Sequence, residues 1–183
     1  MNIFISGKTI LKSLLLTFIF LSVNTLVKSQ SNLPAQPTPT AVSDVSYAAE
    51  NAGWLVNLDE AYTKSKATGK PIMANFTGSD WCGWCKRLSA NVFVHDAFKT
   101  WAEKNVILLE LDFPRRKTVP ENIKGQNASL QQAFQVTGYP TVWIFNLEKN
   151  ATSNQYSIEA LGKTGYANNV EEFTTGVDQM INK

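Results

Sequence analysis

The two cysteines of this chain, Cys82 and Cys85, lie only three positions apart. A disulfide between them would close a loop too short to restrain the unfolded chain strongly. The chain has no third cysteine, so no disulfide within it can join distant segments. Its 183 residues, 44% of them hydrophobic, must therefore fold around an apolar core, and this length is typical of one domain.

Residues 1–29 have the three-part pattern of a secretory signal peptide. Lys8 and Lys12 precede an apolar stretch at 14–23, and the segment Val27-Lys28-Ser29 offers small residues at the positions that a signal peptidase reads. The apolar stretch is shorter than the roughly 20 residues of a membrane-spanning helix, so we predict cleavage after Ser29. An uncleaved anchor is the alternative. We expect the protein to be periplasmic or secreted, without stable membrane association after cleavage.

Removal of this segment changes the charge balance. It contains three lysines and no acidic residue, which leaves 14 lysines and arginines against 15 acidic residues. The remaining chain is therefore close to neutral, at about −1. A nucleic-acid-binding protein would carry a basic excess, so we expect no nucleic-acid partner.

Residues 30–50 contain three prolines among small polar residues and are predicted to form a linker, which leaves 51–183 as the folded domain. Helical and strand-like segments alternate in this domain, beginning with a helix at 58–70 and a strand at 71–76. Such alternation predicts an α/β fold with a mixed sheet. Residues 114–127, with their run of basic residues, are predicted to be a long exposed loop.

The cysteine pair follows a predicted strand and opens a predicted helix. Backbone N–H groups at a helix start are unpaired and stabilise negative charge. A cysteine pKa of about 8.5 falls to roughly 3.5–7.5 in such a position. We therefore predict Cys82 to be the exposed, attacking thiolate, and Cys85, one turn inside the helix, to be the more shielded thiol that resolves a mixed disulfide.

A metal site is the competing interpretation of two closely spaced cysteines. Structural zinc takes four protein ligands, and this chain has one histidine, His95, besides the two cysteines. We expect no metal and no cofactor other than the redox-active disulfide between Cys82 and Cys85.

The sequence DWCGWCK at 80–86 resembles the WCxxCK active site of the thioredoxin family, and VTGYPT at 136–141 is similar to the loop that carries its cis proline. The resemblance covers 51–183. It implies a thioredoxin fold, in which helices flank a central mixed β-sheet, here with an extra N-terminal helix.

The resemblance also implies a substrate site. Pro140 is expected to be cis, and Tyr139 to offer its backbone to an extended substrate. Trp81 flanks the site, and packing in the core and lining the substrate groove are equally good interpretations of it. Trp84 is expected to face the substrate. Gly165 is expected in the loop that borders the groove.

One departure concerns proton transfer. The family has a buried aspartate where this chain has Asn75, and an amide cannot accept a proton as a carboxylate does. Glu110, Asp112 and a bound water are the alternatives. A second departure is the absence of the proline that kinks the active-site helix, near whose position Ala90 stands.

The function expected from these features is that of an exported thiol–disulfide oxidoreductase that reduces or isomerises protein disulfides. The alternatives are a thioredoxin-fold binding or chaperone module without turnover, and a disulfide oxidase. The expected partners are cysteine-containing exported proteins and an unidentified thiol–disulfide electron donor, and the expected state is a monomer.

Overall fold

The computed structural model describes residues 47–153 and 155–182. The predicted signal peptide and most of the predicted linker lie outside these residues. No helix in the described part of the chain is both long and apolar enough to span a membrane. Within these residues, four strands and five α-helices follow one another in the order α1(Leu58–Thr68), β1(Ile72–Thr77), α2(Gly83–Leu88), α3(Asp96–Asn105), β2(Ile107–Asp112), α4(Glu121–Ala133), β3(Thr141–Lys149), β4(Tyr156–Thr164) and α5(Val170–Ile181).

The four strands form one mixed sheet in the order β2-β1-β3-β4. Strand β1 pairs with β2 in parallel and with β3 in antiparallel orientation, and β3 pairs with β4 in antiparallel orientation. The predicted α/β fold with a mixed sheet flanked by helices is confirmed, including the helix that precedes the first strand.

Side chains of β1 alternate between two hydrophobic clusters because successive residues of a strand face opposite sides of the sheet. Ile72, Ala74 and Phe76 pack in the cluster that includes α1 and α4. Met73 packs on the other face, with side chains of α2, α3 and α5. Asn75 lies on that second face by the same alternation, on the side of the active-site helix.

Both ends of α1 are capped. Asn57 caps the helix start by accepting a hydrogen bond from the Glu60 N–H. Gly69 ends the helix with φ of 71°, a left-handed conformation that favours glycine.

The predicted loop at 114–127 is wrong in its second half, because α4 begins at Glu121. Buried positions at Ile123, Asn127 and Leu130 give the helix an inward face. The middle one of these three residues, Asn127, is polar, so the apolar spacing typical of a helix is interrupted in the sequence. The Asn127 side chain donates a hydrogen bond to the Asp112 carbonyl at 3.1 Å. Polar periodicity of this kind is invisible to a search for apolar repeats.

Two further features position the site. Helix α2 ends in a π-helical turn, Ser89–Phe93, where the sequence lacks the family's kinking proline, and such turns bend helices. Upstream, Ala49 packs on the core and the Glu50 N–H donates to the Glu110 carboxylate at 2.6 Å, so contacts with the domain begin before residue 51.

Candidate active site

Cys82 and Cys85 form a disulfide with an S–S distance of 2.08 Å and a Cα–Cα distance of 5.3 Å. A tight turn after β1 places them, since the N–H groups of Trp81 and Cys82 both donate to the Gly78 carbonyl. Cys82 is the N-cap of α2, and its Sγ accepts a hydrogen bond from the Cys85 N–H at 3.2 Å. The predicted position of Cys82 at the start of a helix is confirmed.

The predicted difference in exposure between the two cysteines is wrong for the disulfide form. Cys82 is 6% exposed and Cys85 is 5% exposed. Both cysteines are therefore buried to the same degree in this form. What distinguishes Cys82 from Cys85 is its place at the cap, where the unpaired N–H groups of the first turn lie.

Trp81 is half-buried and held on three sides. Its Nε1 donates to the Phe113 carbonyl at 2.9 Å, its ring meets that of Tyr139 edge to face at 5.8 Å, and the Arg115 guanidinium lies 4.1 Å from its ring centroid. A Cβ at Gly78 would lie 2.4 Å from the indole, so this position requires glycine. Sequence reasoning missed Gly78, although it directly follows β1.

Trp84 is 54% exposed, as expected for a side chain that faces a substrate. Its ring packs edge to face on Tyr166 at 5.0 Å and against the Arg87 guanidinium at 4.7 Å. Sequence reasoning also missed Tyr166, whose hydroxyl accepts from Asn91 Nδ2 at 3.1 Å.

The Tyr139–Pro140 peptide bond is cis, as predicted. It directly precedes β3, and Gly165 directly follows β4. Val142 and Thr164 pair across these strands, which brings both residues to the same end of the sheet. A Cβ at Gly165 would lie 3.4 Å from the Pro140 carbonyl, so the two are neighbours.

A cavity of about 260 Å³ lies behind the disulfide, and Cys85, Asn75, Glu110, Ser89 and Asn51 line it. Asn75 is 3% exposed, and its Oδ1 has no hydrogen-bond partner among the described residues. The structure thus places Glu110 in one cavity with the resolving cysteine. Asp112 does not line this cavity.

Glu110 is buried, with 2% of the residue exposed. Its Oε1 accepts from the Glu50 N–H, and its Oε2 accepts from the N–H and Nδ2 of Asn51. Burial raises the pKa of Glu110, and these hydrogen bonds oppose the shift in part. Tyr47 lies near the same carboxylates. Burial and the negative charges of Asp112, Glu110 and Glu50 raise the pKa of Tyr47 to about 12.

Asp112 has partners of its own. Its Oδ1 accepts from the Ser79 N–H at 2.8 Å, and its Oδ2 accepts from the Ser79 hydroxyl at 2.5 Å. These bonds tie β2 to the turn that carries the cysteines.

Residues 58–156 match the family of thioredoxin-like domains. The chain belongs to that family. The predicted thioredoxin resemblance is confirmed, and the chain is a thioredoxin-like protein with a CxxC disulfide.

Three curated relatives define its likeness further. The thioredoxin-like chain is 36% identical over 101 residues to the disulfide bond reductase DsbH of Chlamydia pneumoniae, which covers 55% of this chain and 60% of DsbH. It is 25% identical over 111 residues to the thioredoxin-related protein DsbJ of the same organism, covering 61% of this chain and 32% of DsbJ. It is also 28% identical over 130 residues to the thiol:disulfide interchange protein DsbD of Colwellia psychrerythraea, covering 68% of this chain and 20% of DsbD. The chain therefore matches less than two thirds of the length of each.

Among solved structures, the thioredoxin-like chain is similar to a DsbH oxidoreductase, with a TM-score of 0.62 and 27% identity. That match covers 83% of this chain and 95% of the other. A thioredoxin from Thermus thermophilus shares the fold, with a TM-score of 0.51 and 20% identity over 69% of this chain and 84% of the other.

Proposed function

We propose that this protein is an exported thiol–disulfide oxidoreductase that reduces or isomerises disulfides of exported proteins. The observation that carries the proposal is the Cys82–Cys85 disulfide, with Cys82 at the cap of α2. The likeness to a protein named disulfide bond reductase supports the reducing direction.

The reaction begins from the dithiol form. The Cys82 thiolate attacks one sulfur of a substrate disulfide, the new S–S bond forms a mixed disulfide, and the first substrate thiolate leaves and takes up a proton. Cys85 then loses its proton and attacks Cys82 Sγ, which releases the second substrate thiolate. Two electrons have moved to the substrate, and the protein holds the disulfide that the structure shows. A dithiol partner must return two electrons for the next cycle.

The arrangement around Cys82 supports its role as the attacking group. The Cys85 N–H already points at Cys82 Sγ, and a negatively charged sulfur there would accept a stronger hydrogen bond than a neutral one. The exposed ring of Trp84 borders the site, where it can cover the apolar part of a bound polypeptide.

Export to the periplasm or outside the cell is part of this proposal and depends on the signal-peptide pattern of residues 1–29. N-terminal sequencing of the exported protein should give Gln30 as the first residue, whereas an intact N-terminus in the membrane fraction would contradict cleavage.

Insulin reduction by the full chain, with dithiothreitol as electron source, tests the activity. We expect turnover by the wild type and its loss in Cys82→Ser, because the serine hydroxyl cannot replace the thiolate. Cys85→Ser should instead accumulate the mixed disulfide on Cys82, since nothing resolves it. Equal rates for the wild type and Cys82→Ser would favour a binding module whose disulfide is incidental.

A further inference from the structure

All three arginines of the chain lie beside the active site, whereas its other basic residues are 14 lysines. Arg87 is on α2, two positions after Cys85. Arg115 and Arg116 are in the loop after β2, which contacts the residues just before Cys82. The chain without residues 1–29 is close to neutral, so its overall charge does not explain why all three arginines lie in one region.

Two of the arginines lie against the tryptophans that precede the cysteines. The guanidinium carbon of Arg115 is 4.1 Å from the ring centroid of Trp81, and that of Arg87 is 4.7 Å from the ring centroid of Trp84. Such cation–π contacts hold a planar guanidinium in a defined position while leaving its edge free to donate hydrogen bonds. Each of the two tryptophans that directly precede a cysteine therefore holds a positively charged guanidinium group against its ring.

The loop of Arg115 and Arg116 is fixed through its backbone. The carboxylate of Asp80 accepts from the backbone N–H groups of Arg115, at 3.0 Å, and Arg116, at 2.6 Å. The first of these hydrogen bonds is the main cause that holds the pKa of Asp80 below its usual value. Asp80 thus stays ionised, and its carboxylate accepts hydrogen bonds from the backbone and not from the guanidinium groups, although the charge of Arg116 also helps to lower its pKa.

Among the described residues, none of the three guanidinium groups forms an ion pair with a carboxylate. The six ion pairs found within 47–153 and 155–182 are all made by lysines, including the pair of Lys117 with Glu50. All three arginines are exposed. A guanidinium presents paired N–H donors that match both oxygens of a carboxylate, a geometry that lysine lacks.

We propose that Arg87, Arg115 and Arg116 select substrates whose reactive cysteine is flanked by acidic side chains. The proposal rests on the proposed function, because it names the substrate class of that same site. A segment placed between Trp81 and Trp84 with its sulfur at Cys82 would have neighbouring carboxylates within the region that the guanidinium groups occupy. A polypeptide fits this region better than a lipid surface, because the arginines surround a site that must admit a protein sulfur.

Peptide disulfides of matched sequence test the selection. In three symmetric dimers, each cysteine is flanked on both sides by glutamate, by glutamine or by lysine, and the reduced full chain is mixed with each in a single turnover. We expect the glutamate dimer to react faster than the glutamine dimer by about two- to fivefold for each arginine engaged, as for exposed ion pairs. The lysine dimer should be the slowest, and the differences should shrink in high salt because ions screen exposed charges.

Substitutions assign the effect to residues. Arg87→Gln, Arg115→Gln and Arg116→Gln should each lower the rate ratio of the glutamate to the glutamine dimer, and the triple variant should bring it to about one. Arg115→Lys keeps the charge but not the paired donors, so its ratio should lie between those of the wild type and Arg115→Gln. Lys163→Gln is the matched control. Lys163, on β4, also contacts a tryptophan, since its Nζ lies 5.5 Å from the ring centroid of Trp143 on β3. This variant should keep the wild-type rate ratio.

The outcomes separate the two proposals. Turnover of all dimers at equal rates would overturn the selection by arginine and leave the oxidoreductase standing. Failure to reduce any of the dimers would overturn both. Binding of the wild type to phosphatidylglycerol vesicles that the triple variant loses, without preference among the dimers, would assign the arginines to lipid and contradict the acidic-peptide proposal.

Discussion

At the scale of single residues, Glu110 shares a cavity with Cys85, the thiol that must lose a proton before it attacks the mixed disulfide. Asn75, also in that cavity, cannot accept this proton. Glu110 is therefore the better of the two acidic candidates, since Asp112 is bonded to Ser79 and lines a different cavity.

Several charged or titratable groups face this carboxyl. Glu50 and Tyr47 approach Glu110 from the N-terminal segment, Asp112 lies on the same strand, and Lys86 lines the cavity from α2. The raised pKa of Glu110 arises first from burial and then from the negative charge of Asp112, against hydrogen bonds that lower it. A carboxyl with a raised pKa is a stronger base once ionised, as proton transfer from a thiol requires.

Glu110→Gln tests the proton transfer. We expect it to slow the release of substrate from the Cys82 mixed disulfide by about a hundredfold at neutral pH. The wild-type rate should rise with pH as Glu110 ionises, whereas the variant should need the higher pH at which the Cys85 thiol ionises unaided. Rapid-quench measurements of the release step across pH give both profiles. Asp112→Asn is the control, and overlapping profiles for the wild type and Glu110→Gln would contradict the role.

The same residue links stability to pH. A carboxyl whose folded-state pKa is raised stabilises the fold below its ordinary pKa of 4.5, and this contribution is lost as pH rises through the raised value. The free energy of unfolding of the wild type, relative to Glu110→Gln, should therefore decline as pH rises above about 4.5, which urea titrations measure. The opposite slope would show that the hydrogen bonds from Glu50 and Asn51 outweigh burial.

At the scale of elements, the turn between β1 and α2 positions the disulfide, and Gly78 sets its packing. The Trp81 indole lies where a Cβ would be, and it cannot move freely because its Nε1 is bonded to the Phe113 carbonyl. The turn therefore needs glycine at position 78, because any larger residue would collide with the Trp81 indole.

Gly78→Ala should destabilise the protein by about 1–3 kcal/mol, as overpacking does. Urea unfolding measures the loss, and a slower reaction of Cys82 should accompany it as Trp81 shifts. Gly83→Ala is the matched control, because its Cβ would meet nothing within 4 Å and alanine favours a helix. Equal stability of the two variants would show that Trp81 is not held as described.

At the scale of the whole molecule, the reduction potential decides between a reductase and an oxidase. Strong oxidants of this kind have a very stable thiolate in the reduced form. Trp84 stands between the cysteines, and its indole cannot become a cation as a histidine can. Each pKa unit of thiolate stabilisation is worth about 1.4 kcal/mol, and that energy corresponds to roughly 30 mV for two electrons.

We expect a potential below about −180 mV, the value of a disulfide isomerase. Equilibration with glutathione buffers measures it. Trp84→His should move the potential by about 30–60 mV in the oxidising direction, for one to two units of added stabilisation. A wild-type value near −120 mV, typical of a strong oxidant, would make the reducing direction wrong.

Local sequence determined most of the elements and the centre of the site. The strand at 72–77, the glycine that ends α1 and the cysteines at the start of α2 are each specified by neighbouring residues, because hydrophobic period and capping act over one or two turns. The cis Pro140 was likewise predictable, from its short motif and the family resemblance.

Only the tertiary structure decided the rest, because it depends on residues far apart in sequence. Glu110 meets Asn51 across 59 positions, Asp80 meets Arg115 across 35, and the inward face of α4 depends on the bond from Asn127 to β2. The burial of Cys82 in the disulfide form is likewise a property of the folded domain. Side chains satisfied by distant partners leave no periodic signal in the sequence, whereas apolar and capping residues do.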